Sequence, residues 1–220
     1  MNATCNIRST NYSLNQTYLP SNEDIKQTFK DFKYDQVISC VDYFQASLCS
    51  QCHIYSYPYK SKYYHKITNN FPGRLFKYVN IVSLFDGRPF EHEFFLQIAR
   101  LFPYMKKLTV DNRKAQTNKQ CRKSKNENIT INEYHHLTLL SLEAAHEDYL
   151  EEFLLDTKTY LSNGVNLLAN YETLKKVTHN FERDATRINC LKINYFYAPY
   201  ITQFPKHFKN YFHHTDIAHF

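Results

Sequence analysis

The sequence predicts an α/β fold in which parallel strands line the inside of a solenoid and helices its outside. Two observations carry that expectation. An apolar-x-x-apolar-x-apolar phrase recurs through the middle and the carboxyl end, and amphipathic helical stripes lie between its copies. The phrase fits Val79-Asn80-Ile81-Val82-Ser83-Leu84, Met105-Lys106-Lys107-Leu108-Thr109-Val110, Leu137-Thr138-Leu139-Leu140-Ser141-Leu142 and Ile188-Asn189-Cys190-Leu191-Lys192-Ile193. A degenerate copy at Leu161–Leu168 keeps Val165 and Leu167 as its alternating pair. The copies begin near residues 79, 105, 137, 162 and 188. That spacing is close to the ~20–29-residue period of leucine-rich repeats. The longest gap holds the basic stretch Arg113–Lys125 and reads as a repeat carrying a loop insertion. So short a period leaves too little chain for long crossovers, and a leucine-rich-repeat-like solenoid fits best. The competing architecture is an ordinary compact α/β domain without repeats.

Taken in order, residues 1–20 are polar and rich in Asn, Ser and Thr, and are expected to be a flexible segment. Residues 21–220 are expected to form the repeat-containing domain, with an irregular amino-terminal part. There Ser21 is placed to cap a helix over Asn22–Phe32. Gln36–Phe44 and Cys52–Tyr57 read as strands, and Tyr63–Phe71 as a short aromatic helix closed by Pro72-Gly73; these fit two earlier, degenerate repeats. Glu91–Phe102 carries Phe94, Phe95, Ile98, Leu101 and Phe102 on one helical stripe, with acids at its start and Pro103 after its end. Glu147–Leu161 carries a similar stripe stopped by Asn163-Gly164, and Tyr171–Val177 a shorter one. Pro205–Phe212 reads as a helix and His213–Phe220 as a final partial strand.

Composition removes several function classes. Gly73, Gly87 and Gly164 are the only glycines and stand far apart. No glycine-rich loop can close on a phosphate, so Walker loops, dinucleotide fingerprints, kinase lids and the Gly-x-Ser-x-Gly elbow are all excluded. The net charge of +6 equals the six basic residues Arg113, Lys114, Lys119, Arg122, Lys123 and Lys125, which have no acid among them. The balance elsewhere argues against nucleic acid as a partner, since such proteins expect a broad basic face. No apolar run reaches the ~18 residues of a membrane span, and none near the amino terminus has signal-peptide length. An intracellular location, cytoplasmic or nuclear, with reduced cysteines is the expectation.

Candidate sites are few. Cys49-Ser50-Gln51-Cys52-His53 matches the c-type haem attachment pattern, but only as one short match. As a zinc half-site it lacks a second close pair. His146-Glu147 opens like a zincin helix and fails at Leu150. His92 between Glu91 and Glu93 reads as the solvated first turn of a helix, and Glu147-Asp148 and Glu151-Glu152 as exposed helix charges. Cys190 reads as a packed thiol. No catalytic residue, cofactor or metal site is therefore assigned, and an enzyme is not expected. The basic stretch 113–125 offers salt-sensitive phosphate contacts but lacks interleaved aromatics. The stronger candidate is the concave strand face, where Ser83, Phe85, Thr109, Asp111, Ser141, Glu143, Lys192 and Asn194 form a mixed row of the kind solenoids use to hold partners. Plain solvent exposure is the simpler account of that row.

Several phrases point to a family. They are Leu19-Pro20-Ser21-Asn22-Glu23-Asp24-Ile25, Gln51-Cys52-His53-Ile54-Tyr55-Ser56, Pro89-Phe90-Glu91-His92-Glu93, Phe153-Leu154-Leu155-Asp156-Thr157-Lys158, and Val177-Thr178-His179-Asn180-Phe181 with Asp184-Ala185-Thr186. Together they resemble the region following the F-box in a large, expanded invertebrate family of F-box/leucine-rich-repeat-like proteins. The resemblance implies a substrate receptor of SCF-type ubiquitin ligases, in which an amino-terminal F-box docks on the Skp adaptor and the repeats present a protein target. Here the residues after Leu19-Pro20 match the post-F-box region. Docking to Skp–cullin components is thus expected only if an F-box is supplied elsewhere, and no functional residue carries over. The alternatives are a scaffold or decoy binder unconnected to ubiquitin, and nucleic-acid binding through the basic loop 113–125.

Overall fold

A computed structural model describes residues 6–7, 24, 27, 30, 36–44, 49–118, 130–197, 205, 207–212 and 216–218. At the amino-terminal end, β1 (Asn6–Ile7), β2 (Gln36–Phe44) and β3 (Cys49–Tyr57) make an antiparallel sheet in the order β1-β3-β2. A second sheet contains β4 (Tyr63–Ile67), β5 (Ile81–Phe85), β6 (Lys107–Asp111), β8 (Leu139–Ser141), β10 (Val165–Leu168), β11 (Ile193–Tyr197) and β12 (Asp216–Ala218). Its seven strands lie side by side in chain order, and all neighbours run parallel. β7 (Asn132–Tyr134) and β9 (Thr159–Leu161) pair parallel in a sheet of their own. The helices are α1 (His92–Leu101), α2 (Glu147–Leu154), α3 (Tyr171–Val177), α4 (Asp184–Cys190) and α5 (Phe208–Tyr211). The molecule is thus α/β with a parallel main sheet, as the alternation of stripes and phrases predicts.

Side-chain alternation explains why one face of that sheet is buried. Tyr64, Val82, Leu108, Leu140, Leu167 and Phe196 stand opposite one another in register, all buried. Ile67, Leu84 and Val110 make a second inward row. Phe94, Phe95 and Ile98 of α1, and Leu150, Phe153 and Leu154 of α2, join these rows in one core. Each such side chain removed from water contributes about 1.5–3 kcal/mol. Aromatic rings close the core at both ends. Tyr55 of β3 packs against Tyr64 and Phe76, and Phe76 stacks on Phe102 with centroids 5.0 Å apart. At the carboxyl end Phe208 lies between Phe181 and Phe212, at 5.0 and 4.7 Å.

Several elements differ from expectation. Tyr63–Phe71 is not a helix: Tyr63–Ile67 is β4, because Tyr64 and Ile67 gain inward positions beside Val82 and Leu84. Gln36–Phe44 and Cys49–Tyr57 are not degenerate repeats; they pair antiparallel along their whole length. The helix expected over Glu147–Leu161 stops at Leu154. Thr159 and Asn189 take its final carbonyls: Thr159 Oγ1 donates to Glu152 at 2.8 Å, and Asn189 Nδ2 to Phe153 at 3.2 Å. The freed Thr159–Leu161 becomes β9. The phrase at Ile188–Ile193 is the end of α4, and the strand begins only at Ile193. Pro205–Phe212 shortens to Phe208–Tyr211. Of the helix expected over Asn22–Phe32, only Asp24, Gln27 and Lys30 are described. Within residues 1–20, Asn6 and Ile7 pair with β3, and the others lie outside the described residues.

Behind α3 the chain holds three consecutive left-handed residues, His179, Asn180 and Phe181, with φ of 50°, 59° and 65°. Each such L-residue costs roughly 1–2 kcal/mol. The buried Phe181 ring fixes the turn through its contacts with Phe208 and Tyr211. His179 is exposed and has no such duty. His179→Gly is therefore expected to stabilise the fold by about 0.5–1 kcal/mol, the strain relief less the added unfolded-state entropy. A urea melt checks this.

Candidate partner-binding face

Among the described residues, the outward face of the parallel sheet is not covered as the inward face is. Ser83, Thr109, Ser141, Leu168 and Tyr197 stand side by side in register across β5, β6, β8, β10 and β11. One step toward the strand starts, a second row reads Tyr63, Ile81, Lys107, Leu139, Asn166 and Tyr195. Phe85 and Asp111 form a third, shorter pair. Tyr63, Lys107 and Asp111 are exposed; the rest are half-buried. Apolar and aromatic groups thus alternate with hydroxyls and charges on this face. Two local contacts order the β4 side. Ser83 Oγ accepts the Lys66 backbone N–H at 2.9 Å, and the Lys66 ammonium lies 5.3 Å from the centre of the Phe85 ring.

Of the expected row, Ser83, Phe85, Thr109, Asp111 and Ser141 are on this face, and Glu143 is exposed in the turn after β8. Lys192 and Asn194 are corrected. Because β11 starts at Ile193, Lys192 precedes the strand, and its ammonium sits 3.8 Å over the centre of the Tyr160 ring. Asn194 falls in a bulge: Val165 pairs with Ile193 and Asn166 with Tyr195, so Asn194 faces no partner residue. Tyr197 stands in the Ser83 row, where Lys192 was expected, and Tyr195 in the row of Tyr63 and Ile81. Ile81, Lys107, Leu139, Asn166 and Leu168 also lie on the face and were not singled out in the sequence. The signal was present, since alternation puts the residues on either side of each inward position on the outward side.

A second group of residues is more buried than the sequence suggests. His92, read as a solvated first-turn residue, is 2% exposed, and Glu152, read as an exposed helix charge, is 0%. His92 Nε2 donates to the Thr130 carbonyl at 2.9 Å, and Nδ1 lies 2.6 Å from Glu152 Oε1. Asn132 Nδ2 donates to the same carboxylate oxygen at 2.9 Å, and Lys158 Nζ to the other at 3.2 Å. Burial works against charge on His92, but the Glu152 carboxylate and the Thr130 carbonyl outweigh it and raise the imidazole above its ordinary value. Burial likewise works against the Glu152 charge, yet His92 and Lys158 hold the carboxyl below its ordinary value. The cluster joins α1, the β7 segment, α2 and the approach to β9. Glu152 is fully enclosed, and its contacts tie these segments together. Asp148, also read as exposed, is 3% exposed and accepts the Gln116 backbone N–H at 2.9 Å.

The remaining candidates fall as follows. Cys49–His53 lies in β3, paired residue by residue with Cys40–Phe44. Among the described residues no group of three or more His, Cys, Asp and Glu side chains is arranged to hold a metal ion. Cys190 is fully buried, and burial pushes its thiol up. Of the basic stretch, Arg113 and Lys114 are exposed, and Lys119 to Lys125 lie outside the described residues. No helix among the described residues is long and apolar enough to cross a membrane. Comparisons with family models, curated proteins and solved structures find no match.

Proposed function

We propose that this chain is a protein-binding module and that the outward face of its parallel sheet holds the partner. One observation carries the reading. Parallel sheets almost always bury both faces, whereas this one leaves Ile81, Leu139, Leu168, Tyr195 and Tyr197 half-exposed on one face, interleaved with Lys107 and Asn166. An apolar band among polar neighbours is the composition of an interaction surface. The sheet is read as the inner wall of a leucine-rich-repeat-like solenoid. The chain-order stacking of β4 to β12 and the spacing of the apolar phrases support that reading. On the family resemblance, the bound partner is a protein presented to an SCF-type ubiquitin ligase inside the cell. Skp–cullin components join only where an F-box is supplied elsewhere. A scaffold or decoy unconnected to ubiquitin uses the same face and differs only in what else co-purifies. No catalytic step belongs to either version.

The double substitution Leu139→Asp with Tyr195→Asp places two carboxylates on the band without touching the core. Quantitative mass spectrometry after affinity purification is expected to show at least one protein retained by the wild type and reduced about tenfold or more by the variant, the loss typical of an interface anchor. The far-UV circular dichroism of the two is expected to match. Identical retained proteins from both, at equal yield, refute the assignment of this face.

A further inference from the structure

The loops that feed the strands form a ladder of their own at the amino-terminal edge of the main sheet. The Lys62 carbonyl accepts N–H groups from Asn80 and Ile81 at 3.0 and 3.1 Å. The Asn80 carbonyl accepts those of Lys106 and Lys107 at 2.8 and 2.9 Å, and the Lys106 carbonyl those of Thr138 and Leu139 at 2.8 and 3.0 Å. The residue before each strand therefore sits beside its counterpart, at about the 4.8 Å spacing of neighbouring strands. Two positions upstream of these residues stand Lys60, Tyr78, Tyr104 and His136. The Tyr104 and His136 rings meet there with centroids 5.6 Å apart.

This edge is both basic and aromatic. Tyr78 and Tyr104 are 58% and 54% exposed, unusual for rings with a core available to them. Lys60, Lys62, Lys77 and Lys106 are exposed in the same loops. No acid occurs anywhere from Tyr43 to Phe85. Glu133 lies toward the far end and is bound by His135 at 3.0 Å. The charge balance outside residues 113–125 hides this strip, because its members are gathered from three separate loops.

We propose that this edge binds single-stranded nucleic acid, the lysines meeting phosphates and the exposed tyrosines stacking on bases. Interleaved cations and rings are the two components such binding requires. An acidic peptide uses the lysines and leaves the rings idle, and a duplex hides its bases. The site is separate from the outward sheet face and stands whether or not a protein binds there.

Fluorescence anisotropy of the full chain with a labelled oligouridine of about 12 nucleotides, within ordinary single-strand site sizes, tests this. The wild type is expected to bind. Lys62→Glu with Lys106→Glu is expected to weaken binding about tenfold or more and to flatten its salt dependence. Tyr78→Ala with Tyr104→Ala is expected to weaken it about tenfold at an unchanged salt slope, as lost stacking does. Leu168→Asp, and Lys119→Ala with Lys123→Ala, are expected to leave it unchanged. The proposal is overturned by no binding of the wild type or by equal affinity for a matched duplex or polyglutamate. Loss confined to the Lys119/Lys123 variant, or indifference to the tyrosines, overturns it equally.

Discussion

Glu152→Ala is expected to destabilise the protein by about 3–5 kcal/mol, the usual consequence of removing one member of a buried ion pair. The carboxylate neutralises two neighbours, His92 at 2.6 Å and Lys158 at 3.2 Å, the latter only 6% exposed. Without it, Lys158 and the imidazole remain buried with no counter-charge, and Asn132 Nδ2 loses its 2.9 Å acceptor. The pH dependence follows from the two shifts. His92 is raised above its ordinary 6.5, so its share of stability is complete below that value and is lost as pH rises through the folded value. Glu152 is lowered from its ordinary 4.5, so its share is complete above that value and is lost as pH falls through the folded value. The difference between wild type and His92→Gln is accordingly expected to be largest between pH 4.5 and 6.5. Urea melts across pH check both statements. A Glu152→Ala midpoint within experimental scatter of wild type contradicts the cluster's role.

Phe153→Ala is expected to cost about 3–5 kcal/mol by a different route, the loss of a buried ring plus the cavity left behind. Phe153 is fully buried, meets Phe95 edge-on at 5.3 Å and lies 5.5 Å from Tyr134. It therefore joins α2 to α1 and to β7, and no single neighbour can move to refill the space. The control is Ile188→Ala, at a position 52% exposed, where a change below about 0.5 kcal/mol is expected. Equal midpoints for the two variants contradict the placement of the core.

The parallel strands were readable because they obey period two locally: Val82 with Leu84, Leu108 with Val110, and Val165 with Leu167 are alternating pairs that bury as expected. Where a segment fits two periods, tertiary packing decides. Ile188, Cys190, Leu191 and Ile193 satisfy the strand phrase, yet the buried Thr186, Asn189 and Cys190 lie at helical spacing, and α4 results. Tyr63–Ile67 carried aromatic residues compatible with either state, and pairing with β5 made it a strand. The outward face was half visible, since Ser83, Thr109 and Ser141 follow from the inward phrase, whereas Tyr195 and Tyr197 depend on a bulge that no local pattern announces. The buried cluster was invisible for a different reason. His92 and Glu152 are 60 residues apart, and a His or Glu in a first or second turn looks solvated until its partner arrives.

The outward sheet face as a partner surface is tested most directly by site-specific photo-crosslinking in cells. A benzophenone side chain is placed at Thr109 or Ser141 on the face, and at Glu172 on the exposed side of α3. The same cross-linked species is expected from Thr109 and Ser141, absent from Glu172, and lost when Tyr195→Asp is added. Cross-links from Glu172 with none from Thr109 or Ser141 would contradict the account.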